Sequence, residues 1–232
     1  MTDQAERAKQ ILNDLVEYHQ MPVELVKERC KAAVYELAWI WGKQHKELNH
    51  EEVMRFYRET DWYQFDLTKY QSMITPLVDL MVDMADSYGI KKVLDFGGGI
   101  GEYSIRLAKE ADCDVTYLDL EGSETMKYAE WRFKKHEAKV KVVGEKYEWT
   151  GDNWDGVVIM DVLEHLEKPE YERVIKALEE KARYIFCNPE DVRFNVFFPQ
   201  HITKIKLEGF VQVEANLYYN KRLAKKSIIA QA

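Results

Sequence analysis

The chain has 232 residues, of which 46% are hydrophobic, so it can build a full core and global disorder is not expected. Its net charge of −8 excludes a general attraction for the phosphate backbones of nucleic acids, and no apolar run approaches the roughly 18 residues of a membrane span. Because no signal peptide is visible and the three cysteines (Cys30, Cys113 and Cys187) lie far apart without a CxxC pair, we expect a cytoplasmic protein with neither a disulfide framework nor a metal centre.

The region before about residue 86 is predicted to be helical throughout, because its apolar residues recur at helical spacing. A helix is expected to begin near Asn49, with two glutamates in its first turn. A longer helix is predicted over Leu67–Tyr88, where Pro76 should kink it or divide it in two and Gly89 should end it.

From Lys91 onward, strand-like runs alternate with amphipathic helices. The runs are Lys92–Phe96, Asp114–Leu118, Lys139–Val143, Gly156–Met160 and Tyr184–Cys187. Such alternation predicts βαβ units, and therefore a parallel sheet with helices on both faces.

The end of the sequence breaks this alternation. Phe210–Tyr219 and Ala224–Ala230 are strand-like, and only residues 220–223 separate them. No crossover helix fits in so short a loop, so the pair is predicted to form an antiparallel hairpin at the sheet. The predicted fold class is therefore α/β, with a doubly wound, mostly parallel sheet of seven strands that ends in an antiparallel hairpin.

The most informative stretch is the glycine-rich turn after the first predicted strand. It contains the pattern Asp-x-Gly-x-Gly-x-Gly, formed by Asp95, Gly97, Gly99 and Gly101. Such a turn brings bare backbone and a helix N-terminus against a ligand. The spacing departs from the dinucleotide fingerprint GxGxxG, in which Glu102 would have to be a glycine. A carboxylate in this first helical turn suits an uncharged or cationic ligand better than an anionic one.

Two acids follow the next two predicted strands. Asp119 lies twenty residues past Gly99, where a carboxylate can accept hydrogen bonds from ribose hydroxyls. Glu145 follows the third strand, where it can accept from an exocyclic amine while the backbone amide of Lys146 donates to a ring nitrogen. This arrangement suits adenine, and the alternative for Glu145 is an acid in a solvated loop.

The glycine pattern, Asp119, Glu145 and the run Asp161–Leu166 together resemble the class I S-adenosylmethionine-dependent methyltransferases, and within them the small-molecule branch. The resemblance covers about residues 90 to 232. It implies a Rossmann-like fold with S-adenosylmethionine as the cofactor. The residues that it assigns to the cofactor are Asp95, Gly97, Gly99 and Gly101 for the methionine part, Asp119 with Leu120 beside it for the ribose, Glu145 and Lys146 for adenine, and Asp161 near the methyl group.

Two histidines are candidates for a general base, which methyl transfer needs only when the acceptor must lose a proton. His165 follows Asp161 by four residues at the carboxyl edge of the predicted sheet, and its alternative role is packing or capping at a helix start. His201 lies beyond the fifth strand, after an apolar loop whose Phe197 is a candidate for the acceptor wall. The alternative for Phe197 is simple burial against the N-terminal helices.

Aromatic side chains also crowd the N-terminal region. Aromatic residues at helical spacing usually form core, which is one interpretation. The resemblance implies another, because helices before the first strand of this superfamily often fold over the cofactor as a lid. The candidates for the acceptor pocket are then Tyr57, Trp62, Tyr63 and Tyr70. We therefore divide the chain into a helical lid and substrate region, residues 1–86, and an S-adenosylmethionine-binding domain, residues 87–232, and the helices could also form a homodimer interface.

The leading interpretation is S-adenosylmethionine-dependent methyl transfer to a small molecule, at oxygen first, with nitrogen or carbon next. One alternative is a protein or RNA methyltransferase. The negative net charge argues against RNA. Asp161-Val-Leu-Glu also differs from the Asn/Asp-Pro-Pro-aromatic turn favoured for amino methylation of nucleic-acid bases. The other alternative is a non-catalytic cofactor-binding partner subunit, against which the complete set of cofactor acids argues. We expect no nucleic-acid or membrane partner.

Overall fold

The computed structural model describes residues 2–44, 50–188 and 205–222. Five α-helices precede the first strand in these parts of the chain, as the helical spacing predicts. They are α1 (Thr2–His19), α2 (Val23–Gln44), α3 (His50–Glu59), α4 (Trp62–Met73) and α5 (Thr75–Ser87). Among all the helices described, none combines the length and the apolar character needed to span a membrane.

The segment predicted as one helix over Leu67–Tyr88 belongs to two helices. α4 begins earlier than predicted, at Trp62, and the break falls at Ile74, whose amide still bonds back to a carbonyl of α4. Pro76 occupies the first turn of α5, where its missing N–H costs no helical hydrogen bond. Gly89 follows the end of α5 with a φ of 61°, as expected of a residue that ends a helix.

The remaining described residues form a seven-stranded sheet with helices between the strands. The strands are β1 (Lys92–Phe96), β2 (Asp114–Asp119), β3 (Val140–Gly144), β4 (Trp154–Ile159), β5 (Ala182–Cys187), β6 (Phe210–Glu214) and β7 (Leu217–Asn220). The intervening α-helices are α6 (Glu102–Glu110), α7 (Glu124–Lys135) and α8 (Lys168–Lys181). The strand order is β3-β2-β1-β4-β5-β7-β6. β1 to β5 run parallel, whereas β7 is antiparallel to β5 and β6, which confirms the predicted fold class.

The antiparallel hairpin is present, but its position differs from the prediction. Both of its strands begin within the segment Phe210–Tyr219, for which a single strand is predicted. The chain reverses at Asn216, whose φ of 60° lies in the left-handed region that asparagine tolerates. The prediction of one strand was wrong because no glycine or proline marks this turn. The second predicted strand, Ala224–Ala230, lies outside the described residues.

Helices cover both faces of the sheet and bury its centre. α5 and α6 pack on the face that includes Val93 and Val158, while α8 packs on the face that includes Leu94 and Val157. All four of these side chains are fully buried. Because neighbouring residues of a strand point to opposite faces, both faces of the central strands are buried against helices. This packing fixes the strands and so positions the loops at their ends.

The N-terminal helices α1, α2 and α4 form an apolar cluster that also contains Ile100 of the glycine-rich turn and Tyr128 of α7. A buried ion cluster, which we call the Arg132 cluster, joins the same elements. The cluster consists of Arg132 in α7, Asp14 in α1 and Glu102 in α6. The guanidinium of Arg132 contacts the carboxylate of Asp14 at 2.9 Å and that of Glu102 at 2.6 Å. The N-terminal helices are therefore held against the glycine-rich turn at the carboxyl edge of the sheet.

Candidate active site

Four acids are placed along one edge of the sheet. β3, β2, β1 and β4 are parallel neighbours, so their carboxyl ends meet at the same edge. The acids are Glu145 after β3, Asp119 at the end of β2, Asp95 in β1 and Asp161 after β4. Open α/β sheets bind ligands at this edge, which is therefore the candidate site.

The glycine-rich turn between β1 and α6 requires residues without side chains. Gly97, Gly99 and Gly101 have φ angles of 69°, 55° and 75°, in the left-handed region that favours glycine. Gly98 is limited by space instead, because a Cβ built there would lie 2.5 Å from the ring of Tyr117. The turn therefore presents bare backbone at the sheet edge, immediately before the N-terminus of α6.

The carboxylate of Asp119 is fixed by backbone amides. One oxygen accepts from the amide of Gly99 at 2.8 Å, and the other accepts from the amide of Leu120 at 2.7 Å. Burial raises the pKa of Asp119, and the two amide hydrogen bonds oppose part of that rise. The oxygen that binds Gly99 also accepts from the hydroxyl of Tyr117 at 3.3 Å, but the oxygen that binds Leu120 keeps a second lone pair and can still accept a hydrogen bond from a ligand.

Asp95 is the most deeply buried of the edge acids, with 1% of its surface exposed. The hydroxyl of Ser104 in α6 donates a hydrogen bond to it at 2.6 Å. Burial raises the pKa of Asp95 to about 7 despite this hydrogen bond, and the charge of Asp119 adds to the rise. A cation placed beside Asp95 would favour its ionised form, so this carboxyl group suits an ammonium group.

Glu145 is paired with a residue of the N-terminal helices that the sequence analysis did not single out. Nη2 of Arg58 in α3 donates to one oxygen of Glu145 at 2.6 Å, and the amide of Glu121 donates to the other at 2.7 Å. Burial alone would raise the pKa of Glu145, but these bonds and the Arg58 charge outweigh it and lower the pKa. Each oxygen can still accept a further bond, and the neighbouring Lys146 is exposed.

The loop after β4 brings Asp161 and His165 to the same edge. Asp161 has a φ of 53°, an uncommon conformation that clusters at functional sites, and it accepts from the side-chain amide of Asn188 at 3.2 Å. Nδ1 of His165 lies 3.2 Å from the hydroxyl of Tyr57 in α3. Glu164, between these two positions, is 3% exposed. The loop therefore gathers several titratable groups beside the N-terminal helices.

One of the predicted pocket aromatics contacts this loop, a second stacks on the first, and a third packs elsewhere. The ring of Tyr57 meets His165 edge-on at a centroid distance of 5.9 Å, and Tyr63 stacks on Tyr57 at 5.4 Å. Burial raises the pKa of Tyr57 to about 12, so its hydroxyl stays protonated at neutral pH. Trp62 packs against Phe65 instead and lines a cavity of about 670 Å³ whose walls include none of the edge acids.

The other candidates for the acceptor side fall into two groups. Tyr70 in α4 is close enough to Tyr103 for its hydroxyl to influence the pKa of that residue, after burial and Asp161. His201 and Phe197 lie outside the described residues, so their roles remain predictions.

α4 lies directly over the glycine-rich turn. A Cβ built at Gly99 would approach Cδ1 of Leu67 in α4 to 3.0 Å. The side-chain amide of Gln64, one turn earlier, donates to the carbonyl of Glu124 in α7 at 2.5 Å. Neither contact could be found from sequence, because a leucine and a glutamine in a helix give no local signal of what they meet.

The charge of Glu102 is compensated by a buried arginine, Arg132. Its carboxylate binds Arg132 at 2.6 Å, and the same guanidinium donates to the carbonyl of Ile100 at 2.8 Å. Burial alone would lower the pKa of Arg132, but the charges of Glu102 and Asp14 outweigh it and raise the pKa. Glu102 therefore does not select against an anionic ligand as predicted, because Arg132 compensates its charge. The Arg132 cluster instead holds the backbone of the glycine-rich turn.

The chemistry of this edge fits S-adenosylmethionine. Carboxylates with spare lone pairs suit ribose hydroxyls, an adenine amine and an ammonium group. The bare backbone of the glycine-rich turn leaves room for a ligand to approach closely. A buried hydroxyl without a hydrogen-bond partner among the described residues, that of Tyr103, offers a spare donor nearby. The donors and acceptors of the edge therefore match those of the cofactor that the resemblance implies.

Comparisons with known proteins agree with this chemistry. Residues 93–183 match the family model of a methyltransferase domain. No curated protein sequence matches the chain. Among solved structures, the chain is similar to magnesium protoporphyrin IX methyltransferase from Synechocystis with bound SAM, at 20% identity over 73% of this chain and 90% of that chain, with a TM-score of 0.50. It is also similar to a candidate O-methyltransferase from Nostoc punctiforme, at 13% identity over 61% of this chain and 48% of that chain, with a TM-score of 0.51.

At these identities the two solved structures show the fold alone. The domain match, the glycine-rich turn and the fold together define an enzyme of the S-adenosylmethionine-dependent methyltransferase class. More specifically, residues 93–183 carry the methyltransferase domain, and the acids and glycines at the edge of the sheet fit S-adenosylmethionine as its cofactor.

Proposed function

We propose that this methyltransferase acts on a small-molecule acceptor, with oxygen as the first candidate for the methylated atom. The observation that carries the proposal is the contact of α3 with the loop after β4, where the hydroxyl of Tyr57 lies 3.2 Å from Nδ1 of His165. α4 covers the neighbouring glycine-rich turn through Leu67. Helices rich in aromatic side chains cover this edge of the sheet, which favours a compact acceptor over a polymer. The net charge of −8 argues further against nucleic acid as the acceptor.

We assign the cofactor contacts to the edge residues in the order of their strands. Glu145 and the amide of Lys146 would hold adenine, Asp119 and Leu120 the ribose, and Asp95 the ammonium group. The glycine-rich turn would hold the rest of the methionine part, with Asp161 beside the methyl group. S-adenosylmethionine itself supplies an activated methyl group, so the protein contributes mainly the in-line placement of the acceptor.

His165 is our candidate for the group that takes a proton from a hydroxyl acceptor. Tyr57 holds Nδ1 of the imidazole through the 3.2 Å contact, which orients the ring. The ring of Tyr63 stacks on that of Tyr57 and helps to hold it in place. When Nδ1 carries the hydrogen and donates it to the oxygen of Tyr57, Nε2 is free to take a proton from a hydroxyl acceptor within hydrogen-bond distance.

Nitrogen is the second candidate, because acids and aromatic rings lie together at the acceptor side. Glu164 is 3% exposed and its charge contributes to the raised pKa of Tyr57, after burial. Carboxylates beside tyrosine rings can hold a cationic amine. The homodimer suggested by the aromatic N-terminal helices stays a prediction.

The test is an acceptor screen that follows S-adenosylhomocysteine formation with hydroxyl and amine compounds of small size, with mass spectrometry of each product. His165→Ala should lower kcat for a hydroxyl acceptor by roughly 100-fold or more, as expected for a lost general base. Its affinity for S-adenosylhomocysteine should stay unchanged.

His19→Ala is the matched control, because His19 is also partly buried and hydrogen-bonds a side chain, Gln64, at 2.7 Å. It should leave kcat near the wild-type value. A normal kcat in His165→Ala would leave His165 with a structural role. Turnover with protein or RNA substrates but with no small molecule would overturn the proposed acceptor class.

A further inference from the structure

Tyr103 is a buried tyrosine whose hydroxyl has no hydrogen-bond partner among the residues that the structure describes. Only 5% of its surface is exposed. Burying a hydroxyl without a partner costs folding free energy, so proteins keep few such groups and each calls for an explanation.

The position of Tyr103 places its hydroxyl near the edge acids. It is the second residue of α6, directly after the glycine-rich turn, and the next residue, Ser104, binds Asp95. Its ring packs in the same core cluster as Met160, which precedes Asp161. The phenol therefore lies where the ends of β1 and β4 meet the glycine-rich turn.

The hydroxyl of Tyr103 stays protonated and can therefore donate a hydrogen bond at the edge of the sheet. Burial raises its pKa well above the ordinary value, and the charges of Asp161 and Asp95 add to the rise. It therefore stays protonated across the physiological range. Because ionised carboxylates only accept hydrogen bonds, a neutral donor supplies what Asp95 and Asp161 lack in their charged forms.

We propose that the hydroxyl of Tyr103 donates a hydrogen bond to the carboxylate in the methionine part of S-adenosylmethionine. This inference rests on the proposed placement of the cofactor along the edge. The methionine part carries an ammonium group and a carboxylate, and the edge acids suit only the ammonium group. The carboxylate needs a donor that does not repel it, and the N-terminus of α6 beside Tyr103 favours the same negative charge.

The test compares two ligands that differ at this group. S-adenosylhomocysteine has the amino-acid end, whereas 5′-methylthioadenosine keeps the adenosine and lacks both the ammonium group and the carboxylate. Tyr103→Phe removes only the hydroxyl. In calorimetry it should weaken S-adenosylhomocysteine binding roughly 10- to 100-fold, the range for a lost hydrogen bond to a charged group. Binding of 5′-methylthioadenosine should not change.

The melting temperature of the free protein adds a readout that separates this role from a structural one. Because Tyr103→Phe removes an unsatisfied buried group, the melting temperature should stay the same or rise. Tyr184→Phe is the matched control, since Tyr184 is 6% exposed in the same core cluster but lies in β5. It should leave the affinity for both ligands unchanged.

Three results would overturn the proposal. Unchanged affinity for S-adenosylhomocysteine, including the case in which only the KM for the methyl acceptor rises, would remove Tyr103 from the cofactor. Equal weakening of both ligands, or a lower melting temperature, would give the hydroxyl a structural role. Asp119→Ala should weaken both ligands because both contain ribose, so a failure of the proposed ribose contact is distinguishable from a failure at Tyr103.

Discussion

Replacing Asp14 with asparagine should destabilise the folded protein by about 3–5 kcal/mol, the range for breaking a buried ion pair from one side. Asp14 is fully buried, and its carboxylate contacts Arg132 at 2.9 Å, His136 at 2.7 Å and Lys135 at 3.1 Å. Asparagine preserves the shape and one acceptor oxygen but loses the charge. Arg132 would then keep only Glu102 of its two carboxylate partners, and this single ion pair would offset less of the free-energy cost of burying the guanidinium.

The assay is urea unfolding, in which the variant should lose stability without a change in slope. For a chain of this size each kcal/mol shifts the melting temperature by about 2–4 °C, so the expected fall is roughly 6–20 °C. Asp79→Asn is the control, because Asp79 also joins α1 to α6 through Arg7 and Arg106 but is 26% exposed and bonds no residue of the glycine-rich turn. It should cost about 1 kcal/mol. A loss below about 1 kcal/mol in Asp14→Asn, or an equal loss in both variants, would refute the reasoning.

The stabilising effect of Asp14 should also depend on pH. Burial opposes its ionisation, but the hydrogen bond and charge of His136 and those of Arg132 outweigh burial and hold its pKa below the ordinary 3.8. Because the unfolded state takes up the proton first as the pH falls, the contribution is present above about pH 4 and is lost as the pH falls through the folded-state pKa. The difference between wild type and Asp14→Asn should therefore shrink in acid, and a constant difference would contradict this origin.

Two further substitutions test the edge acids. Asp119→Ala should weaken S-adenosylmethionine binding by roughly 1–3 kcal/mol in calorimetry, as for a lost buried hydrogen-bond partner, and unchanged affinity would remove Asp119 from the site. Asp95→Asn should flatten the pH dependence of stability in urea unfolding at pH 4 to 8. Burial raises the folded-state pKa of Asp95 to about 7, so its contribution is present below the ordinary value of 3.8 and is lost as the pH rises through about 7. If Asp95→Asn loses as much stability as the wild type when the pH rises, the pH dependence of stability comes from another group.

The parts of the fold that followed from sequence are those with a local cause. The five parallel strands were predicted within about two residues of their observed bounds, because buried strands read as short apolar runs between helices. The terminal hairpin was placed wrongly, since the turn at Asn216 depends on a left-handed asparagine and carries no glycine. The division between α4 and α5 followed from Pro76, although the start of α4 did not.

In the candidate site, too, the residues with a local sequence signal could be predicted, whereas their long-range partners could not. Asp95, Asp119, Glu145 and Asp161 could be selected from sequence, because each lies at a strand end and parallel strand ends meet at one edge. The partners of those acids could not be selected. Arg58 is one charged residue among many in α3, and nothing near it in the sequence points to a carboxylate that follows β3.

The amino-acid sequence alone indicated a methyltransferase with S-adenosylmethionine as cofactor, and it predicted the edge of the sheet where we propose that the cofactor binds. These depend on the spacing of glycines and acids around single strands, which is local. The folded structure was needed to show that Arg58 contacts Glu145, that Tyr57 contacts His165 and that Asp14 contacts Arg132, across 87, 108 and 118 positions of the chain. The physical reason is that the docking of a helix depends on the burial of its whole face, and no short motif records which side chains that burial brings into contact.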